Sequence, residues 1–341
     1  MLQTSPVWGR LRTLRSSAPL PDGDPGRRAT FLSALVQFEE LAQAAAAVGP
    51  ASRPLLLFYA LSQAGRAIVA SRQPGQWRCR GHGVTFRPDD AALLERRVRV
   101  EPGTSSSYHQ VSVATGSPVA VGASCSVAEL CASLPELANL PALTAGRPRA
   151  LLLHPVVRSG GAVFVMSRQA DGWVFNLPVD SADEITVENL APLLERYPTT
   201  SGWSLSEPPM FQPTPASFGW GHGVRLRWEV PAERGNQEYD RRVRLLEVAS
   251  AYLKEERYWI RPTVGDEPTL ISPLMAWWQL LFALSMLARY EPDTWVGALD
   301  LNTSTIAVPL EELLDDALAS VPHLVLNELL NVPYLTPDRT Y

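Results

Sequence analysis

Apolar residues recur at three- and four-residue spacing from Phe31 through Leu35, Phe38, Leu41 and Ala45, the stripe of a helix with one buried face. The stripe predicts a helix starting near Thr30 and stopped by Gly49 and Pro50. A second stripe, Leu57, Leu61, Ala64 and Ile68, begins beyond Pro54, and its alanines together with Gly65 let the two helices approach closely in an antiparallel hairpin. Beyond Gly83 the period changes. Val98–Glu101, Tyr108–Val113 and the run to Val121 alternate around the turn Gly103–Ser107, which predicts strands, and a short helix capped by Ser126 follows with Leu130 and Leu134 inward. Ala150–Val157, Ala162–Met166 and Gly172–Phe175 read as a meander. Thr186–Tyr197 has the pattern of an amphipathic helix, and Val224–Val230 alternates strictly as a strand. Helical patterning returns over 273–290 and over the acidic stretch 309–319.

These elements predict an α+β protein: a helical body formed by N- and C-terminal helices, with a central, mostly antiparallel sheet. Residues 1–27 read as a flexible arm, 28–145 as the first helical part, 146–265 as a β-rich part, and 266–341 as a helical part that packs back on the first. Ile271–Ala288 carries no charge, and these 18 residues reach the lower limit of a membrane span. Ser272, Gln279 and Ser285 interrupt the run and an acidic stretch follows it, so a buried core helix is expected and no membrane partner.

Composition narrows the function classes. With 46% apolar and 19% charged residues the chain is globular, and a net charge of -5 argues against a protein that wraps duplex DNA through diffuse positive charge, while leaving room for a local basic patch. Lys254 is the single lysine among 30 lysines and arginines. Cys79, Cys125 and Cys131 lack CxxC spacing, so neither a disulfide framework nor a zinc knuckle is expected; with no leader pattern at Met1–Trp8, a cytoplasmic protein is.

The five histidines show no HExxH spacing, and the chain lacks GxGxxG, GxxxxGK[ST] and GxSxG loops, so no metal or nucleotide cofactor is expected. The tetrapeptide Gly-His-Gly-Val occurs twice, at 81–84 and 221–224. Its glycines permit an unusual backbone and close approach by a ligand, and its imidazole either titrates near neutrality or caps a neighbouring helix. Arg78, Arg80 and His82 together form a candidate catalytic cluster, since cations beside an imidazole suit phosphodiester binding or cleavage. Arg289 favours the end of the long apolar helix, where Pro292 forbids continuation, and Arg289, Tyr290 and Glu291 are either a structural cap or a polar floor beneath the His82 turn. Arg80, His82, Arg289 and Glu291 are expected to lie near one another. Arg149 and His154, five apart, fall on a predicted buried strand and are set aside.

Phe58–Leu61, Ala64, Arg66, Ala67 and Gly81–Val84, with Leu284–Pro292 and Trp295 downstream, resemble the YaaC-like family of bacterial proteins from about Trp8 to Asn327, a resemblance that implies an architecture and no particular chemistry. Phe58–Ala60 and Gly65–Ala67 more loosely resemble HEPN domains, helical modules found among RNA-cutting toxins and phage-defence proteins. That likeness would place Tyr59 and Arg66 with Arg289, Tyr290 and Glu291 in a ligand-binding surface. Arg78 and His82 are one residue short of the R-x4–6-H spacing of the cutting members, so the resemblance implies a non-catalytic binding or scaffold protein with a protein partner, a homodimer or RNA. A metal-independent ribonuclease and a small-molecule enzyme with a pocket between sheet and helices are the alternatives.

Overall fold

A computed structural model describes residues 6–20, 24–73, 78–87, 89–144, 146–155, 169–177, 186–198, 203–205, 211–213, 222–229 and 258–330. The stretch expected to be a loose arm holds helix α1 (Pro6–Thr13). Trp8 is 2% exposed, with its ring 5.1 Å from that of Phe38. Arg12 and Arg15 both pair with Glu39, itself 6% exposed, which pins α1 to the next helix. An eight-residue helix has too short a stripe to stand out in sequence; its aromatic anchor and ion pairs hold it in place.

Helix α2 (Pro25–Ala47) starts five residues earlier than the stripe predicts, because Asp24 accepts from the N–H groups of Gly26 and Arg27 and Pro25 suits the first turn. Helix α3 (Arg53–Arg72) returns antiparallel to it. Arg27, buried at the start of α2, donates to the carbonyls of Ala70 and Gln73, both at 2.8 Å, and so satisfies acceptors at the end of α3.

Strands β1 (Val84–Phe86), β2 (Arg97–Val100) and β3 (Ser124–Ser126) form an antiparallel sheet in that order, with Thr85 opposite Arg99 and Val98 opposite Cys125. The strand expected at Tyr108–Val113 is instead helix α4 (Ser107–Thr115). Ser106 caps its start by accepting from the His109 N–H, and Gly116 ends it with φ of 68°. Tyr108, Val111 and Ser112, at helical spacing, are its buried face. Helix α5 (Val127–Ser133) begins with the expected Ser126 cap, completed by Glu129 into a capping box. A four-residue helix, α6 (Pro141–Thr144), follows.

The second sheet joins β4 (Leu151–Pro155), β5 (Gln169–Leu177), β6 (Trp203–Leu205), β7 (Phe211–Pro213), β8 (His222–Glu229) and β9 (Tyr258–Ile260). Its order is β6-β8-β5-β4-β9 with β7 also on β8, and every pairing is antiparallel. Helix α7 (Val187–Leu194) falls in the connection after β5. The strand expected at Ala162–Met166 lies outside the described residues.

Helix α8 (Pro273–Tyr290) has the bounds its apolar run predicts, and 14 of its 18 residues are buried. Among the described residues, no helix is long and apolar enough to cross a membrane. Helices α9 (Pro292–Ala298) and α10 (Ala307–Leu330) follow, and α10 extends well past the predicted acidic stretch. As expected, the C-terminal helices pack back on the N-terminal hairpin: α8 and α10 both lie against α3. The Phe58 ring lies 6.0 Å from Trp278 and 5.3 Å from Phe282. Trp295, fully buried, donates its indole N–H to the carbonyls of Pro50 and Ala51 in the α2–α3 turn. Ion pairs Arg53–Asp315 and Arg72–Glu328, both at 2.6 Å, tie α3 to α10.

Two outcomes test this packing. At Gly65 an added Cβ would stand 2.5 and 2.8 Å from carbons of the Trp278 ring and 2.8 Å from a Val111 methyl. Gly65→Ala should therefore lower unfolding stability by about 1–3 kcal/mol in urea titration. On α10, burial and the neighbouring Glu136, Glu312 and Asp315 push the Asp316 carboxyl up to about 7. The folded state then holds the proton more tightly than the unfolded state, so this contribution to stability is full below about pH 4 and is lost as pH rises through 7. Asp316→Asn should be more stable than the wild type at pH 8, by about 1 kcal/mol once solvent screening is allowed for, and the gap should close by about pH 4.

Candidate functional site

Gly81 and Gly83, with φ of 65° and 79°, place His82 at the apex of a turn that side-chain-bearing residues adopt only with strain. Gly83 has a second reason to lack a side chain, since a Cβ there would run into Ser106. Backbone hydrogen bonds dock the turn onto the start of α4. The Arg80 N–H donates to Ser105, the Gly81 carbonyl accepts from the N–H and hydroxyl of Ser107, and the His82 carbonyl accepts from the Tyr108 N–H at 3.0 Å. The helix start is thus served by the turn's carbonyls and by Ser106; the imidazole is not the cap that one reading of the sequence allowed. The ring instead sits 5.6 Å from Phe58 and 5.5 Å from Phe282, with the residue as a whole exposed. Desolvation against these rings lowers the His82 pKa below the usual histidine value, and the charge of Arg289 lowers it further, so the imidazole is neutral at neutral pH.

Arg289, in the last turn of α8, is brought beside this turn by the packing of α8 on α3. Its guanidinium donates to the Tyr59 hydroxyl at 3.4 Å and lies 4.9 Å from the centre of the Tyr290 ring. Tyr59 and Tyr290 are 41% and 56% exposed. Arg66 follows Tyr59 by two turns of α3, an axial distance of about 10 Å. Its charge reaches the Cys79 thiol, whose pKa burial raises and Arg66 lowers. Arg66, Arg80 and Arg289 are exposed and have no ion-pair partner among the described residues. Arg78 is exposed next to Cys79.

The structure therefore brings His82, Arg289, Tyr59 and Tyr290 together, with Arg80 in the turn itself, and it uses Glu291 elsewhere. The Glu291 carboxylate accepts from Arg96 at 2.8 Å, and buried Arg96 also approaches Asp89 and donates to the Ala91 carbonyl. This pair fastens the end of α8 to the segment before β2. The other Gly-His-Gly-Val copy is built differently: His222 opens β8 and pairs with Leu177 and Pro213. Phe58 and Phe282, the rings behind His82, were legible only as core positions, since nothing in sequence says that two helices will present them to one turn. Among the described residues no group of three or more His, Cys, Asp or Glu could hold a metal ion.

Chemically, this is a cationic surface beside two exposed phenols, with one neutral imidazole at its edge. Guanidinium groups take phosphate oxygens in pairs, and the tyrosines offer flat stacking faces. Because the unfolded chain binds the His82 proton more readily than the folded one, the histidine's contribution to stability is present above about pH 6.5 and is lost as pH falls below it. His82→Gln should flatten the melting-temperature profile between pH 5 and 7 and stay close to the wild type at pH 8.

A family model described as YaaC-like Protein matches residues 24–329 of the chain. No curated protein and no solved structure matches it.

Proposed function

The chain belongs to the YaaC-like family, and on that footing we propose that it is a non-catalytic, HEPN-like binding protein of the cytoplasm whose arginine–tyrosine surface takes the phosphates and bases of single-stranded RNA. The observation that carries this reading is exposed Arg289 against Tyr59 and Tyr290, with Arg66 two turns along α3 and Arg80 in the His82 turn, and no carboxylate pairing any of the three among the described residues. In a chain of net charge -5, exposed cations left without carboxylate partners favour an anionic ligand bound locally. Exposed aromatic rings among them favour unpaired bases over a duplex, because bases can stack on the rings only when splayed from a helix.

Cleavage is the weaker reading. Cutting a phosphodiester by acid–base chemistry calls for a proton acceptor on one side and a donor on the other. This surface offers one imidazole, neutral at neutral pH, for the first of these roles.

Fluorescence anisotropy with a labelled 15-nucleotide oligouridine tests the proposal. The wild type should bind with an affinity that falls with salt. The Arg66→Ala, Arg289→Ala double variant should reduce the slope of log K against log salt by about 1.4, or roughly 0.7 per lost phosphate contact. Tyr290→Ala should weaken binding by about 1–3 kcal/mol and leave the slope unchanged. Absence of binding in 50 mM salt, or a double variant that binds like the wild type, would overturn it.

A further inference from the structure

Three segments meet where the helical body joins the second sheet: the stretch that leads into β4, the turn that ends α7, and the stretch that leaves β9. The first is tied to the helical body, since the Ala150 N–H donates to the Ala132 carbonyl of α5 at 2.8 Å. The β4–β9 ladder, with Leu151 opposite Ile260, sets the third stretch beside the first. The turn after α7 is bonded to both. Tyr197, fully buried, donates its hydroxyl to the Arg149 carbonyl at 2.7 Å, and the Arg196 carbonyl accepts from the Thr263 N–H at 2.7 Å. These bonds bring Arg149 and Arg196 to one tyrosine. Burial raises the pKa of that phenol, and the charges of both arginines act on it in the opposite direction.

Neither arginine has a carboxylate partner among the described residues, and both are partly buried. The Arg149 Nε is sealed from solvent and makes no hydrogen bond. Desolvation lowers the Arg149 pKa, but a guanidinium keeps its proton at neutral pH, so it cannot escape the cost of burial by becoming neutral. A charge taken out of water is costly unless it is paired and hydrogen-bonded. Arg261, just past β9, shows how this chain treats a buried guanidinium elsewhere: it donates to the Ser133 carbonyl at 3.1 Å and to the Ile271 carbonyl. Arg149 lacks such acceptors and has a second cation near it instead. Both arginines keep part of their surface in solvent, so an anion can reach them from outside and no internal cavity is required.

We propose that Arg149 and Arg196 together hold a phosphate group, either the free ion or the end of a small phosphomonoester, at the junction of the helical body and the second sheet. A doubly charged anion offsets the mutual repulsion of two cations as well as the desolvation of one, which a single carboxylate does less well. Phosphate oxygens also match the paired N–H groups of a guanidinium edge. The Tyr197 hydroxyl is committed to the Arg149 carbonyl and holds the backbone of this site.

Melting temperature of the full chain, followed as inorganic phosphate is added to a Tris chloride buffer of constant ionic strength, tests this. The wild type should gain stability saturably, as expected for an ion that binds the folded state alone. Acetate should need a roughly tenfold higher concentration for the same gain. Phosphate also stabilises proteins in general by exclusion from their surfaces, so the variants decide the matter. Arg149→Met, which keeps the apolar stem and removes the charge, should melt above the wild type without phosphate and gain no saturable increment from it. Arg196→Met should raise the half-saturating phosphate concentration by about tenfold. Glycerol 1-phosphate separates the two sources: half-saturation below that of phosphate marks a phosphomonoester ligand, and half-saturation above it marks the free ion. The Arg66→Ala, Arg289→Ala double variant should respond to phosphate as the wild type does; if its response is lost, the ion sits on the arginine–tyrosine surface and the proposal fails, whatever oligouridine anisotropy shows. Wild-type protein without a saturable gain, an Arg149→Met variant that melts below the wild type in phosphate-free buffer, or an Arg196→Met variant with unchanged half-saturation would each overturn it as well.

Discussion

The close passage of α3 over α8 at Gly65 and Trp278 is the contact on which the rest of the molecule depends. Helix α8 has no charge before Arg289, so it must be covered on nearly every side, and α3, α4, α5, α10 and the strands β1 and β2 supply that cover. A β-carbon at position 65 would lever the two helices apart. With hydrogen alone there, Phe58 and Phe282 meet two turns away, and Tyr59, next to the first, and Arg289, two turns past the second, are left side by side at the surface. The arginine–tyrosine surface is thus a by-product of core packing in its placement, whatever its chemistry serves.

The arginines divide into two populations. Arg27, Arg53, Arg72 and Arg96 are spent inside the fold, on helix-terminal carbonyls or on carboxylates of distant segments. Such pairs add modest net stability when partly buried, because desolvating both charges offsets much of their attraction. Their firmer contribution is register: Arg72 with Glu328 and Arg96 with Glu291 are pairings that a helix shifted by one turn would break. Arg66, Arg80 and Arg289 belong to the other population, solvated and unpaired by carboxylates among the described residues.

What could be read in the sequence follows from how local each signal is. Helix α8 was legible to the residue because Ser272, Pro273, an unbroken apolar run and Pro292 all act within one segment. Helix α4 was misread because Tyr108, Val111 and Val113 satisfy both a strand and a helix over so few residues, and the deciding groups, the Ser106 cap and the left-handed Gly116, lie just outside the alternating run. The approach of His82 to Arg289 was foreseeable from two apolar segments that each needed the other. The diversion of Glu291 to Arg96 was not, since those residues are 195 positions apart and nothing local to either announces the pair.

The Gly81–Gly83 turn is held almost entirely by main-chain groups, and this separates the identity of residue 82 from the integrity of the fold. Position 83 admits glycine alone, being both left-handed and pressed against Ser106. Position 82, one step away, offers an open side of the ring to solvent and lends no side-chain hydrogen bond to the turn. The chain has in effect built a socket: a rigid mount whose single interchangeable part rests against Phe58 and Phe282 and is open to solvent on its other side. A substitution there would leave the main-chain mount standing and alter only the packing on those two rings.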